Sequence, residues 1–175
     1  SHFPVDQREA AQAHDRLAFE ELLQLQVAVL RRRRIEDARR GARPLAAPGE
    51  LCRAYLEGLP FTPTVAQSRV MDEIDGDLVR TVPMRRLLHG DVGSGKTVVA
   101  AYTMLRAVEQ GGQAVLMAPT EVLADQHHLN LTRQLAPLGV QVHLLKGSQS
   151  GRERKEALQA LGAGSAHLAV GTHAL

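Results

Sequence analysis

The chain has 175 residues, with 21 Lys and Arg against 19 Asp and Glu, and 44% of its residues are apolar. This length and composition indicate a compact domain with an appendage, and they exclude a disordered chain. No apolar stretch approaches the roughly 18–20 residues of a transmembrane helix, and the single cysteine excludes an internal disulfide and a cysteine zinc site.

The first 49 residues predict a helical arm followed by a linker. Asp6 and Glu9 have the spacing of a helix N-terminal cap, and the pattern ends at Gly41, a typical residue after a helix. The apolar residues expected on one face of this helix are Phe19, Leu22, Leu23, Val27 and Leu30. Residues 31–43 carry seven arginines against two carboxylates, which fits a solvated helix end or contacts with DNA phosphates. Residues 42–49 contain two prolines and form the predicted linker.

Residues 50–175 predict an α/β domain with a parallel sheet. A short helix is expected over roughly 50–57, and Thr62 with Pro63 predicts the start of another that continues through Leu78. Beyond Met84, strand-length apolar runs alternate with helix-length segments, which is typical of a parallel sheet covered by helices on both faces. The strands are expected at residues 86–89, 114–117, 140–145 and 168–170.

The strongest motif is a phosphate-binding loop between the first of these strands and the next helix. Its residues are Gly90, Asp91, Val92, Gly93, Ser94, Gly95, Lys96 and Thr97, an unbroken G-x-x-x-x-G-K-T pattern. The glycines let successive backbone N–H groups point at phosphate oxygens, and the helix N-terminus adds partial positive charge. We therefore expect Lys96 to reach the β and γ phosphates of a nucleotide and the Thr97 hydroxyl to bind Mg²⁺.

Several further segments, together with this loop, resemble the superfamily-two helicases, and among them the RecG-type branched-DNA helicases. The similar segments are residues 16–23, 59–67, 86–97, 117–121, 144–148 and 170–175. The resemblance implies a RecA-like phosphate-loop domain that uses ATP and Mg²⁺ and acts on branched or forked DNA in recombination and repair. It also implies a monomeric parent enzyme in the bacterial cytoplasm, at the nucleoid. A transcription-repair coupling translocase shares much of the pattern but fits the arm less well, and a stand-alone nucleotide-binding or DNA-binding module is the non-motor alternative.

The resemblance also assigns roles to residues outside the phosphate loop. Phe61 and Gln67 match a motif that senses adenine, and an amide can donate and accept one hydrogen bond each at an adenine edge. The residues that match loops facing DNA are Pro119, Thr120 and Glu121, then Lys146, Gly147 and Ser148, and finally Gly171, Thr172 and His173. Among these, Glu121 is expected to cap or orient rather than to meet an anion directly.

One expected feature of a motor is missing from the strand ends. ATP hydrolysis requires an acidic pair after an apolar strand, where one carboxylate holds Mg²⁺ and the other activates water. The predicted strands end instead at residues 118–119, 146–147 and 171–172, none of which is Asp-Glu. We therefore predict that residues 1–49 are an arm and linker, that residues 50–175 are the first part of a motor domain, and that the chain alone is inactive.

Overall fold

A computed structural model describes residues 6–39 and 41–173 of the chain. The helices are α1 (Gln7–Arg39), α2 (Glu50–Glu57), α3 (Val65–Leu78), α4 (Lys96–Glu109), α5 (Glu121–Leu135) and α6 (Gly151–Gly162), with a 3₁₀ turn at Ala136–Leu138. The strands are β1 (Ala114–Met117), β2 (Val142–Leu145) and β3 (Leu168–Gly171). The described residues up to 43, with 81–83, form one compact unit, and the remaining described residues form a second. The division into an arm (1–49) and a motor domain (50–175) stays a prediction.

The second unit contains a parallel sheet in the order β1-β3-β2. Successive residues of β3 point to opposite faces: Leu168 and Val170 pack into the main core, whereas Ala169 packs with Ala157 of α6. The α/β fold with a parallel sheet and a long preceding helix is therefore confirmed. Helices cover both faces of the sheet at β3, but Val115 and Met117 of β1 stay exposed.

Helix α1 is confirmed as a long helix, but its predicted apolar stripe is wrong. The Asp6 carboxylate accepts a hydrogen bond from the Glu9 backbone N–H at 2.7 Å, and the helix ends at Arg39, before the expected Gly41. Leu17 and Leu25 lie outside the predicted stripe and are as exposed as Leu22 within it. Apolar side chains therefore surround this helix rather than forming a single face.

Helix α3 begins at Val65, later than the sequence predicted. The Thr64 hydroxyl accepts a hydrogen bond from the Gln67 backbone N–H (3.2 Å), and the Gln67 side-chain oxygen accepts one from the Thr64 N–H (2.8 Å). This reciprocal pair is a capping box, which satisfies two backbone donors that a helix start leaves open. The Thr-x-x-Gln spacing therefore outcompetes the Thr-Pro pair that was expected to start the helix.

The predicted strand at residues 86–89 is wrong. Residues 83–91 have no regular secondary structure, and side chains rather than strand pairing fix this segment. The Arg86 guanidinium donates to Asp77 Oδ2 at 2.5 Å and to Glu73 Oε2 at 2.6 Å, both on α3. Leu88 packs against the core while Leu87 is exposed, so the apolar pattern was genuine although no neighbouring strand pairs with it.

A buried polar network joins α4 to α3 and to the segment before α2. Arg106 is fully buried; its Nε donates to Asp75 Oδ1 at 2.6 Å and one terminal nitrogen donates to the Ala46 carbonyl at 2.6 Å. The Tyr102 hydroxyl donates to the other oxygen of Asp75 at 2.6 Å. Because Tyr102 and Arg106 lie one turn apart on α4, the network fixes the rotation of this helix against α3.

The last residue of α4, Glu109, caps the start of α2. Its carboxylate accepts hydrogen bonds from the backbone N–H groups of Gly49 and Leu51, both at 2.6 Å, and from that of Cys52 at 3.4 Å. Burial raises the pKa of the Glu109 carboxyl, but these three N–H donors outweigh it and leave the pKa below its usual value. The same contact supplies donors of the α2 N-terminus with a charged acceptor.

Candidate nucleotide site and strand-end edge

The phosphate loop, residues 90–97, has the backbone geometry that its sequence predicts. Gly93 and Gly95 have φ angles of 79° and 80°, in the left-handed region that glycine adopts without strain, and Gly95 is the N-cap of α4. The Lys96 ammonium donates to the carbonyl oxygens of Gly90 (2.8 Å) and Asp91 (2.6 Å). The Lys96 ammonium thus lies over the loop, where it can exchange these carbonyls for phosphate oxygens.

A cleft of about 380 Å³ lies between the phosphate loop and the start of α3. Its lining combines loop residues, Gly90 and Lys96 among them, with Thr64 and Gln67 from α3 and its cap, and with His89. Volumes of about 300–1,000 Å³ are typical of small-molecule sites. The cleft therefore has the size and the convergent polar groups that a nucleotide requires.

Gln67 lies directly against the phosphate loop. Its side-chain nitrogen donates to the Ser94 carbonyl at 3.0 Å, while its oxygen accepts from Thr64. A Cβ at Gly95 would lie only 2.2 Å from the Gln67 nitrogen and would displace this flexible side-chain end, whereas the φ angle of Gly95 is what requires glycine. The side-chain nitrogen and oxygen of Gln67 therefore both have protein partners in this structure, and adenine recognition by Gln67 stays a prediction.

Phe61 and Thr97, the other two residues predicted to contact the nucleotide or its Mg²⁺, are not among the described residues that line the cleft. Phe61 is half-exposed in the segment before α3. Thr97, expected to bind Mg²⁺, is the second residue of α4 and is half-buried. The described residues contain no group of three or more His, Cys, Asp or Glu side chains that could hold a metal ion. A single hydroxyl ligand fits Mg²⁺, which binds through few protein ligands, substrate phosphates and water.

The three loops expected to face DNA lie side by side where the three parallel strands end, at their carboxyl ends. We call this site the strand-end edge (residues 118–121, 146–148 and 171–173). The strands are in register, with Met117 and Leu145 both paired to Gly171. The Ala118 N–H donates to the Gly171 carbonyl at 2.7 Å, and the Thr172 N–H donates to the Leu145 carbonyl at 3.3 Å. Ligands bind at this edge of open parallel sheets, so the location suits phosphate contacts.

Thr120 and Glu121 have structural partners at this edge. The Thr120 hydroxyl accepts from the Leu123 N–H at 3.3 Å and caps α5, while Pro119 precedes it. The Glu121 carboxylate accepts from the Ser148 N–H at 3.1 Å and from the Ser148 hydroxyl at 2.5 Å. These Ser148 donors hold the pKa of Glu121 below its usual value. Glu121 therefore contacts the neighbouring loop through Ser148, and its expected role as an orienting residue stays a prediction.

Lys146 is the one lysine or arginine among the residues predicted to contact DNA at the strand-end edge, and it is paired with Asp125. Its ammonium donates to both Asp125 oxygens, at 2.7 and 2.8 Å, which raises the pKa of Lys146. Gly147 lies beside Glu121, where an added Cβ would contact the carboxylate at 3.4 Å, and His173 is exposed at the end of the described residues. The edge thus presents hydroxyl and N–H groups together with one lysine that is already partnered.

The phosphate loop lies at the same end of the sheet as the strand-end edge, toward the carboxyl ends of the strands. Helix α4 packs against β1, and only residues 110–113 connect them, so the helix and the strand run in opposite directions. The N-terminus of α4, which carries Lys96, is therefore on the side toward which β1 runs. A nucleotide and a DNA backbone could be bound there by one unit of the chain.

Three features of this region were missed by sequence reasoning. Asp125 lies four residues after Glu121, and that spacing alone indicated a shared helix face without naming Lys146 as the partner. The Gln67–Ser94 contact joins residues 27 apart and has no local signature. Nothing in the sequence pattern pairs Asp75 on α3 with Arg106 on α4, because an irregular segment and the phosphate loop separate the two helices.

Residues 64–175 match the DEAD/DEAH box helicase family, and the chain belongs to this family. Among curated proteins, the ATP-dependent DNA helicase RecG of Acidithiobacillus ferridurans is 50% identical over 93% of this chain. That of Escherichia coli K12 is 47% identical over 93% of the chain. The chain spans about a quarter of the length of these relatives, 24% and 23% respectively. The resemblance to RecG-type helicases is therefore confirmed.

Solved structures agree with this assignment. A structure of RecG bound to a three-way DNA junction matches 99% of this chain and 24% of its own, with a TM-score of 0.86 and 39% identity. A hypothetical ATP-dependent RNA helicase from Sulfolobus tokodaii matches 71% of this chain with a TM-score of 0.53 and 18% identity, which shows the fold alone. None of the described helices is both long and apolar enough to cross a membrane.

Proposed function

We propose that this chain is the ATP-binding portion of an ATP-dependent DNA helicase that remodels branched DNA in recombination and repair. The parent enzyme would act as a monomer in the bacterial cytoplasm, at the nucleoid, with forked or branched DNA as its partner. The observation that carries the proposal is the placement of the phosphate loop and the strand-end edge on one side of a sheet whose sequence is close to that of RecG.

The proposed nucleotide site uses the phosphate loop and the adjoining cleft. Backbone N–H groups of residues 90–95 and the N-terminus of α4 would surround the phosphates, and Lys96 would exchange its two carbonyl partners for β and γ oxygens. Thr97 would hold Mg²⁺, which neutralises phosphate charge when bound. Gln67 and Phe61 would contact the adenine, with Gln67 exchanging the Ser94 carbonyl for the base.

The proposed DNA site is the strand-end edge. Pro119, Thr120 and Glu121 form its first loop, and the other contributing residues are Lys146, Gly147, Ser148, Gly171, Thr172 and His173. Hydroxyls, backbone N–H groups and one lysine are the groups that bind nucleic-acid phosphates, and such contacts fix position without reading sequence. This composition supports a site that follows the DNA backbone.

Thermal unfolding with and without Mg-ATP tests the nucleotide site. A ligand that binds only the native state at about 100 times its Kd stabilises it by about 2.7 kcal/mol, which for a chain of this size raises Tm by about 5–10 °C. Lys96→Ala should reduce the shift because it removes a charged phosphate contact. Lys155→Ala, on the exposed side of α6, is the matched control and should keep the full shift.

Two outcomes would contradict the nucleotide assignment: no shift in a folded sample, or equal shifts in Lys96→Ala and Lys155→Ala. The DNA assignment is tested by fluorescence anisotropy with forked DNA against a duplex of equal length. Binding at low salt that is tighter for the forked DNA than for the duplex supports the proposal. Failure to bind either DNA at low salt would reject the strand-end edge as a DNA site.

A further inference from the structure

The first two turns of α5 hold the loop of residues 146–148 through two carboxylates. Glu121 and Asp125 lie four residues apart on one face of the helix, toward this loop. Glu121 accepts two hydrogen bonds from Ser148, one from the backbone and one from the hydroxyl. Asp125 accepts two from the Lys146 ammonium. Each carboxylate therefore controls a different part of the loop.

The other side of the loop is fixed by short-range contacts. The Gln149 side-chain oxygen accepts from the Lys146 N–H at 3.0 Å, and its nitrogen donates to the Leu144 carbonyl at 3.0 Å. Ser150 and Glu153 form a capping box that starts α6. Glu121 is thus the contact from α5 that fixes Ser148, the last residue of the loop.

The charges at this site oppose direct anion binding by the carboxylates. Three carboxylates, those of Glu121, Asp125 and Glu153, act on one ammonium group, so a DNA phosphate that arrives at the loop meets a local excess of negative charge. The Lys146–Asp125 pair is partly accessible, with side-chain exposures of 20% for Lys146 and 47% for Asp125, and water that reaches the Asp125 side weakens the pair by screening. A phosphate oxygen can therefore replace Asp125 at little cost.

We propose that Glu121 and Asp125 are positioning residues for the DNA-backbone loop: Glu121 fixes the Ser148 donors, and Asp125 holds Lys146 until a phosphate displaces it. This inference rests on the proposed DNA-binding function of the strand-end edge. In this role, the geometry of Glu121 favours DNA binding because it fixes the Ser148 donors, whereas its negative charge disfavours DNA binding. A Glu121 that contacted DNA directly would not separate these two effects.

Substitutions of Glu121 distinguish geometry from charge. In Glu121→Gln the side-chain oxygen still accepts from the Ser148 N–H and the new amide nitrogen can donate to the hydroxyl, so the loop stays fixed while one negative charge is lost. This variant should bind forked DNA about 1.5- to 5-fold more tightly than the wild type. Glu121→Ala releases the loop and should bind more weakly than the wild type, so the two variants change affinity with opposite signs.

Substitution of Asp125 tests the displacement of Lys146. Asp125→Asn frees the ammonium group, so affinity should rise and the slope of log K against log salt should steepen by up to about 0.9, the value for one phosphate contact. The effect should vanish in the Asp125→Asn/Lys146→Ala double variant. Asp72→Asn removes the same charge from an exposed position on α3 and is the matched control.

The experiment measures fluorescence anisotropy of labelled forked DNA across a salt series, using the whole 175-residue chain, with a melting curve for each variant. Opposite signs for the two Glu121 variants, with a steeper slope for Asp125→Asn than for Asp72→Asn, support the inference. Equal signs, or an Asp125→Asn curve that coincides with that of Asp72→Asn, overturn it.

Two further measurements keep the outcome decisive. If Glu121→Ala does not fold, Ser148→Ala removes the hydroxyl contact alone and should weaken binding by a smaller factor; unchanged or tighter binding would overturn the role of Glu121. If the wild type does not bind forked DNA at low salt, the proposed function fails together with the inference. Failure of the variants beside a wild type that binds rejects the inference alone.

Discussion

Removal of Asp75 should destabilise the chain more than removal of any exposed ion-pair partner. Arg106 has no solvent exposure and Asp75 has 19%, so Asp75→Ala leaves a buried guanidinium whose described partner is only the Ala46 carbonyl. Breaking a buried pair from one side costs about 3–5 kcal/mol because the remaining charge is uncompensated. The Tyr102 hydroxyl loses its acceptor in the same variant. The expected fall in Tm is about 6–20 °C.

The partner substitution and the double variant make the physical reason testable. Arg106→Met should cost less, about 1–3 kcal/mol, because Asp75 keeps some access to water. Asp75→Ala/Arg106→Met removes both charges and should lose less than the sum of the single variants, since buried pairs can be replaced by apolar groups at little net cost. Urea unfolding followed by circular dichroism gives the three free energies, with an unchanged m-value as the check that the same transition is compared.

An exposed ion pair supplies the control. Arg152 and Glu156 on α6 are joined at 2.8 Å, with side-chain exposures of 88% and 60%, so Glu156→Ala should cost no more than about 0.5 kcal/mol. The reasoning is refuted if Asp75→Ala costs no more than Glu156→Ala. It is also refuted if the double variant loses the full sum, because the penalty would then come from lost volume rather than from the isolated charge.

Three further predictions concern turnover, pH and the arginine run. The chain should bind nucleotide without hydrolysing it, since the residues that follow the described strands, 118, 146 and 172, do not begin an acidic pair. A steady-state ATPase assay with forked DNA should give no rate that disappears in Lys96→Ala. Glu109→Gln should destabilise the chain at pH 7, and the two unfolding free energies should converge as pH falls below the usual carboxyl value of 4.5. The depressed pKa means that the Glu109 contribution is present above that value and is lost as the folded form is protonated; a constant difference at all pH values would contradict this. Charge reversal of residues 31–34 should flatten the salt dependence of DNA binding by about 0.9 per lost contact, and an unchanged slope would leave these exposed arginines as a solvated helix end.

Local patterns predicted the fold wherever the determinants were local. The phosphate loop depends on glycines and on a helix start, both visible in eight consecutive residues, and Gly93 and Gly95 have the left-handed φ angles that this motif requires. Strands β1 and β3 were predicted closely because apolar runs bounded by turn residues mark them. The meeting of three loops at one edge followed from the parallel sheet alone.

The sequence could not predict features that depend on distant partners. Residues 86–89 have a strand-like pattern, but a strand also requires a neighbour to pair with, and Arg86 anchors the segment to α3 instead. The buried position of Arg106 depends on Asp75 and on the Ala46 carbonyl, from two other segments. Pairing of Lys146 with Asp125 likewise requires the packing of α5 beside the loop after β2, which only the folded chain supplies.

The two ends of α4 differ in how easily their polar partners can be replaced. At the N-terminus, the Lys96 ammonium binds two loop carbonyls at the surface of the cleft, and phosphate oxygens can take their place without exposing an uncompensated group. At the C-terminal half, Arg106 and Glu109 bind buried or half-buried partners from α3 and from the start of α2, and loss of any of them leaves a charge or a helix N-terminus unsatisfied. Nucleotide binding should therefore rearrange the phosphate loop while α4 keeps its position against α2 and α3. The resulting movement would be confined to residues 90–95 and to Gln67, which touches the loop at Ser94.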